Sequence, residues 1–177
     1  MICDKLSDCI NYEKNNINAI NVKCNKINNC ILVADKRSNI KCEENRKVYN
    51  LENLQRKLVI LYKMDGGVIE VDASVPDNIC KCDYLYITEC NKAILVELKG
   101  KNVKHALEQI EGTMTLYKDI LKNCNEIYAR VIVSSAIPRL NANPKYTKLL
   151  SMLKKLNGNL KVKENKMSEK IDELSLD

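Results

Sequence analysis

The chain contains no Trp, no Phe and a single His. Ile, Leu and Val, joined by 8 Tyr, must therefore fill the interior. No apolar run approaches the roughly 20 residues that span a bilayer, and the start, Met1-Ile2-Cys3-Asp4-Lys5, lacks the apolar centre of a signal peptide. No membrane is expected as a partner, and the expected location is cytoplasmic. Absent too are a P-loop, a helicase motif, an internal repeat and any recognisable specificity domain.

What is present is the composition of one globular domain: 177 residues, 45% hydrophobic and 29% charged. A chain of this size buries about 70% of its unfolded surface, so its core needs neither disulfides nor a metal. Twenty-nine Lys and Arg against 23 Asp and Glu leave a net charge of +6, which favours a polyanionic partner such as nucleic acid. The 9 Cys are an odd number without an export signal, so free thiols are expected. Zinc wants paired C-x2-4-C knuckles, whereas the spacings here are Cys80-x-Cys82 and Cys24-x5-Cys30, and His105 has no second His. A zinc or iron-sulfur site is not expected.

Along the chain, residues 1–45 read as an N-terminal arm or accessory segment, 46–165 as the domain proper and 166–177 as a charged C-terminal tail. The arm holds one short apolar run, Cys30 to Ala34, followed by a polar stretch to Asn45. Lys47-Val48-Tyr49 and Leu58 to Tyr62 read as strands around a turn at Asn50 to Asn53, in preference to a helix over Leu51 to Lys63. Val68 to Val71 is a candidate strand before a loop at Pro76-Asp77-Asn78. Asp83 to Ile87 and Ala93 to Lys99 form a clear antiparallel hairpin. From Asn102, an N-cap, Val103, Leu107, Ile110, Met114, Tyr117 and Leu121 draw one apolar stripe on a long helix. Ile127 to Val133 reads as an interior strand ending at Ser134-Ser135, with Pro138 beyond it as a breaker. A helix from Asn143-Pro144 to Asn157-Gly158 follows, then an edge strand from Leu160. This order predicts an α/β fold with a mixed central sheet flanked by helices.

The chemistry concentrates at the end of Ala93 to Lys99. Its first four residues are apolar, as in a central strand, and then Glu97 and Lys99, two apart, project from one face. Antiparallel pairing sets Asp83, which opens the preceding strand, beside them. A surface ion pair at a strand end has the same local pattern. The functional reading rests on charge: two carboxylates in one pocket repel unless a hard cation such as Mg2+ bridges them. Lys99 is then placed to orient a water or to stabilise phosphate charge.

Asp83, followed after thirteen residues by Glu97-Leu98-Lys99, resembles the D-(x)n-(D/E)-x-K signature of the PD-(D/E)XK, or restriction-endonuclease-like, nuclease superfamily. The resemblance spans about Lys47 to Val133, with a helix and a strand following in the family's order. The run Glu-Leu-Lys-Gly-Lys-Asn-Val-Lys-His-Ala-Leu-Glu-Gln, from Glu97 to Gln109, is similar to uncharacterised bacterial members. The signature's proline is not beside Asp83; the Pro-Asp pair that is present, Pro76-Asp77, comes earlier.

The resemblance implies a restriction-endonuclease-like core and Mg2+, with Mn2+ as a substitute, held by Asp83, Glu97 and the backbone carbonyl of Leu98. Lys99 serves the attacking water, and Gln109 on the helix holds the substrate or Lys99. Glu44, Glu52 and Asp65 are candidates for a further acidic residue; Asp65, closing a strand before two glycines, is preferred, although an ordinary turn aspartate looks the same. Lys101, Lys104 and His105, near a helix N-terminus, read as contacts to nucleic-acid phosphates. The implied function is Mg2+-dependent hydrolysis of phosphodiester bonds, DNA being favoured over RNA. The alternative is a non-catalytic module, binding nucleic acid or protein, that keeps the nuclease fold. Enclosing a duplex with 20.2 kDa leads to the expectation of a homodimer.

Overall fold

A computed structural model of the chain describes residues 6–15, 30–72, 75–76, 79–134, 136–137 and 139–175. Cys3, Cys24, Asp77, Asn78, Ser135 and Pro138 lie outside the described residues. The architecture is α/β, in three layers.

The middle layer is a six-stranded mixed sheet in the order β1-β4-β5-β6-β7-β8. Its antiparallel half comprises β1 (Ile31–Asp35), β4 (Val59–Lys63), β5 (Tyr84–Thr88) and β6 (Lys92–Lys99). Its parallel half runs from β6 through β7 (Glu126–Val133) to the edge strand β8 (Leu160–Glu164). β5, β6 and β7 are buried along nearly their whole length, which is why they read as continuous apolar runs rather than as alternation.

Helices cover one face. The longest, α3 (Val103–Leu116), starts at Asn102, whose side chain accepts the His105 N–H at 3.0 Å. The apolar stripe expected to continue to Leu121 is interrupted at Tyr117 (φ −102, ψ 26), and a separate turn, α4 (Lys118–Leu121), completes it. α5 (Pro144–Lys155) starts at Asn143, which caps the Lys145 and Tyr146 amides, with Pro144 in the first turn. α1 (Leu6–Asn15) adds Leu6, Cys9 and Ile10 to the same core.

The other face is covered by a second sheet, with β3 (Lys47–Glu52) at its centre between β2 (Asn39–Glu44) and β9 (Lys166–Lys170). Ile40, Cys42, Tyr49, Leu51 and Met167 from this sheet pack on Val59, Leu61, Tyr86, Ile94, Val96 and Ile132 of the first. Tyr49 and Tyr86 meet edge to face with ring centres 5.4 Å apart. Arg130, fully buried between the sheets, pairs with Glu169 and donates to Asn159 Oδ1 at 2.8 Å and to the Leu174 carbonyl at 3.2 Å.

The second sheet corrects the sequence reading in three places. The polar stretch before Asn45 is strand β2, whose alternate residues Ile40 and Cys42 are buried while their neighbours face solvent. β3 runs on to Glu52, beyond the expected turn, because Lys47, Tyr49 and Leu51 alternate inward. Residues 166–170, assigned to a charged tail, pair parallel with β3 and bury Met167. Within residues 1–45, α1, β1 and β2 pack into the layers of the domain.

Val68 to Val71 is not a strand. Gly66 adopts φ +67 inside a wide turn, Met64–Val68, that feeds one helical turn, α2 (Ile69–Val71). Met64, Val68 and Ile69 thereby reach one core at a helical rather than an alternating spacing. No helix among the described residues is long and apolar enough to cross a membrane.

Candidate active site

The register Tyr84↔Val96 and Leu85↔Leu95, continued by one residue, sets Asp83 opposite Glu97. Two backbone bonds hold the pair: the Leu98 N–H donates to Asp83 Oδ2 at 2.7 Å, and the Asp83 N–H donates to Glu97 Oε2 at 3.2 Å. Each carboxylate thus turns one oxygen to the backbone and keeps the other, Asp83 Oδ1 and Glu97 Oε1, for another partner. Glu97 shares the helix-facing side of β6 with Ala93 and Leu95, and its side chain is 1% exposed.

Burial dominates the electrostatics of both acids. It pushes Glu97 up to about 9; the Asp83 carboxylate adds to the rise, and Lys99 and the Asp83 N–H oppose it. Asp83 is raised to about 6, again chiefly by burial, against the Leu98 N–H bond; the carboxylates of Glu44 and Asp65 contribute further. Lys99 Nζ stands 3.7 Å from Glu97 Oε1 and pairs with it.

Lys99 is held from the helix. Its ammonium donates to Gln109 Oε1 at 2.7 Å, and Gln109 Nε2 donates to the Lys81 carbonyl at 2.9 Å. Lys offers only donors, so the amide oxygen must face it and the amide nitrogen must face the carbonyl. The segment leading to Asp83 is also tied to α3 at Thr113, whose Oγ1 accepts the Cys82 N–H at 2.8 Å. Gly112 permits this approach: a Cβ there would lie 2.1 Å from the Cys80 carbonyl oxygen.

Asp83, Glu97, Lys99 and Gln109 are thus brought together. Asp65 lies alongside, because the Met64 N–H donates to the Asp83 carbonyl at 2.8 Å, but its own carboxylate pairs with Lys81 at 3.3 Å. Glu44, at the end of β2, acts on both Asp83 and Glu97, and at Asp83 its influence exceeds that of Asp65. Glu52 lies at the other end of its sheet, accepting a bond from Ser168 at 2.8 Å. Lys101 and Lys104 are exposed at the start of α3, and His105 pairs with Glu108 at 3.4 Å.

Lys81 is the neighbour that sequence reasoning missed. Its ammonium bridges Asp65 and Glu70, at 3.3 and 3.1 Å, while its carbonyl anchors Gln109. Only its place two residues before Asp83 hinted at this.

No group of three or more His, Cys, Asp or Glu side chains is arranged to hold a metal among the described residues. The donors on offer are two carboxylates and the Leu98 carbonyl, which faces the β5 side as the Leu98 N–H does, since both groups of an extended residue point to one neighbour. That set suits Mg2+, which binds through one or two carboxylates and keeps several waters or phosphate oxygens. No family model, curated protein or solved structure matches the chain.

Proposed function

We propose that the chain is a metal-dependent nuclease of the PD-(D/E)XK type, hydrolysing phosphodiester bonds with Mg2+, or Mn2+ in its place, and acting on DNA in preference to RNA. The observation that carries the reading is the opposed pair of Glu97, buried, and Asp83, half-buried, both raised in pKa, with a fixed lysine 3.7 Å from Glu97 Oε1. Structural ion pairs balance their charges, whereas this site sets two carboxyl groups of raised pKa against one lysine at the end of a central strand. Asp83, Glu97 and the Leu98 carbonyl would hold the metal, whose chemistry is to polarise the phosphate and acidify a bound water.

The protein's own groups do the rest. Lys99, its direction set by Gln109, holds the attacking water or neutralises charge growing on the phosphate oxygens. Water adds to phosphorus, the bond to the leaving sugar oxygen breaks, and the water's proton passes to solvent while the leaving oxygen takes one up. Lys101, Lys104 and His105 hold neighbouring phosphates without reading bases. Two copies of this small domain enclosing a duplex remain part of the proposal.

The test is cleavage of plasmid, single-stranded DNA and RNA with Mg2+, Mn2+ or EDTA, comparing the wild type with Glu97→Ala and Lys99→Ala. Metal-dependent cleavage lost in both variants is expected. A folded wild type that binds nucleic acid and cuts none of these substrates would replace this reading with that of a binding module.

A further inference from the structure

We propose that the tip of the β2–β3 hairpin is a phosphate-binding site, with Arg46 gripping a backbone phosphate of the nucleic acid next to the one at Asp83 and Glu97. The identity of the ligand rests on the nuclease reading; the placement does not.

Glu44 pairs with Lys47 across a two-residue turn, Asn45-Arg46, in which φ is +47 and +66. Such turns favour Asn-Gly, because glycine takes the left-handed second position without strain. Asn45 conforms, but Arg46 stands where glycine fits better. An arginine held in an unfavourable backbone conformation at a hairpin tip invites a functional explanation. Its guanidinium is exposed and makes no hydrogen bond or ion pair among the described residues. Beneath it Lys47, 4% exposed on the same face as Tyr49 and Leu51, donates Nζ to the Asn45 carbonyl at 3.3 Å and braces the turn with a second positive charge.

Position separates Arg46 from other exposed arginines. Lys99 lies in register with Val133, whose carbonyl accepts the Asn165 N–H at 2.8 Å; the Asn165 carbonyl in turn accepts the Val48 N–H at 2.9 Å. The hairpin is therefore stitched to the end of the sheet where Asp83 and Glu97 face each other, and Glu44 on the same hairpin acts on both. Arg56 has the same residue type and a similar backbone, φ +52, but lies at the opposite end, beside Leu58 and Glu89. On the helix face, Lys101 and Lys104 are exposed just beyond Lys99. The catalytic end of β6 thus sits between two cationic margins, one in each outer layer. A polyphosphate chain crossing it meets both.

Arg56 supplies the matched control. Affinity for a short fluorescein-labelled DNA duplex, its single strand and the matching RNA is measured by anisotropy in EDTA, where no cleavage occurs. Losing one phosphate contact removes about 0.9 of a released counterion on duplex DNA, so Arg46→Gly should weaken duplex binding roughly eightfold near 100 mM salt and flatten the salt slope by about one. Arg46→Lys should keep most of the affinity, and Arg56→Gly all of it. Glycine suits both positions, so neither melting temperature should fall.

Wild-type affinity in Arg46→Gly, or an equal loss in Arg56→Gly, overturns the proposal. If the wild type binds the duplex and loses affinity through Arg46→Gly yet cleaves nothing with Mg2+, the site stands and the nuclease reading falls. If the wild type binds none of the probes, both fall.

Discussion

Replacing Glu97 by Gln removes a charge and a titration from the buried end of β6 while keeping the shape and the acceptor for the Asp83 N–H. In the metal-free fold the Glu97 carboxyl is raised from 4.5 to about 9, by burial first and by Asp83 second, while Lys99 acts the other way. A group whose folded value lies above its unfolded value binds an extra proton when folded, so its contribution to stability is complete below about pH 4 and is lost as pH rises towards 9. At about 1.4 kcal/mol per pH unit, keeping Glu97 protonated in the fold at pH 8, where the unfolded chain has released that proton, costs on the order of 5 kcal/mol. Asp83, raised from 3.8 to about 6, acts in the same direction at lower pH. Carboxylates lowered by their partners, such as Asp35 with Arg37 and Glu108 with Lys145, oppose this trend, but they titrate alike in both proteins and cancel in the comparison.

The assay is urea unfolding in EDTA, and the expected result is that Glu97→Gln matches the wild type to within about 1 kcal/mol near pH 5 and exceeds it by roughly 5 kcal/mol near pH 8. Added Mg2+ should then stabilise the wild type at the higher pH and leave the variant unchanged. Equal stability of the two proteins at pH 8, or a variant weaker there than the wild type, would refute the claim that burial and Asp83 hold the Glu97 carboxyl protonated in the metal-free fold.

The remaining predictions concern the supports of the site. Gly112→Ala places a methyl group where the Cys80 carbonyl oxygen lies 2.1 Å away, so it should push the segment before Asp83 off α3. The expected cost is about 2 kcal/mol, read in urea unfolding, with cleavage falling further than stability accounts for. Arg130→Met leaves the half-buried Glu169 with Tyr49 and Lys161 as its remaining partners among the described residues. A loss of about 3 kcal/mol is expected, and adding Glu169→Gln should recover part of it, because the stranded charge rather than the missing contact carries the penalty. Equal losses in the single and double variants would contradict that account.

Why half of the site was legible and half was not follows from which pairings are local. Asp83 and Glu97 face each other because a hairpin turn joins their strands, so counting back from Glu89 to Lys92 was enough to bring them together. Gln109 was recoverable for a similar reason, since it lies on the first helix after the strand that carries Glu97 and Lys99 and at the flank of an apolar stripe.

Nothing comparable marks Glu44 or Arg46. Their hairpin joins the site only because β3 pairs with β9, Val48 with Lys166, far along the chain, and because Asn165 (φ +56) carries the backbone from one sheet to the other. β2 and β9 each bury so few residues that their period-two signal is drowned by the Lys, Glu and Asn of an exposed face. The helix layer wrote itself into local periodicity, whereas the second sheet is set by contacts of high sequence separation. A site built where these layers meet therefore shows the strand of Glu97 and Lys99 to a reader of sequence and conceals the wall opposite. The proposed phosphate contact lies in that wall, and for that reason it could be inferred from the structure and not from the motif.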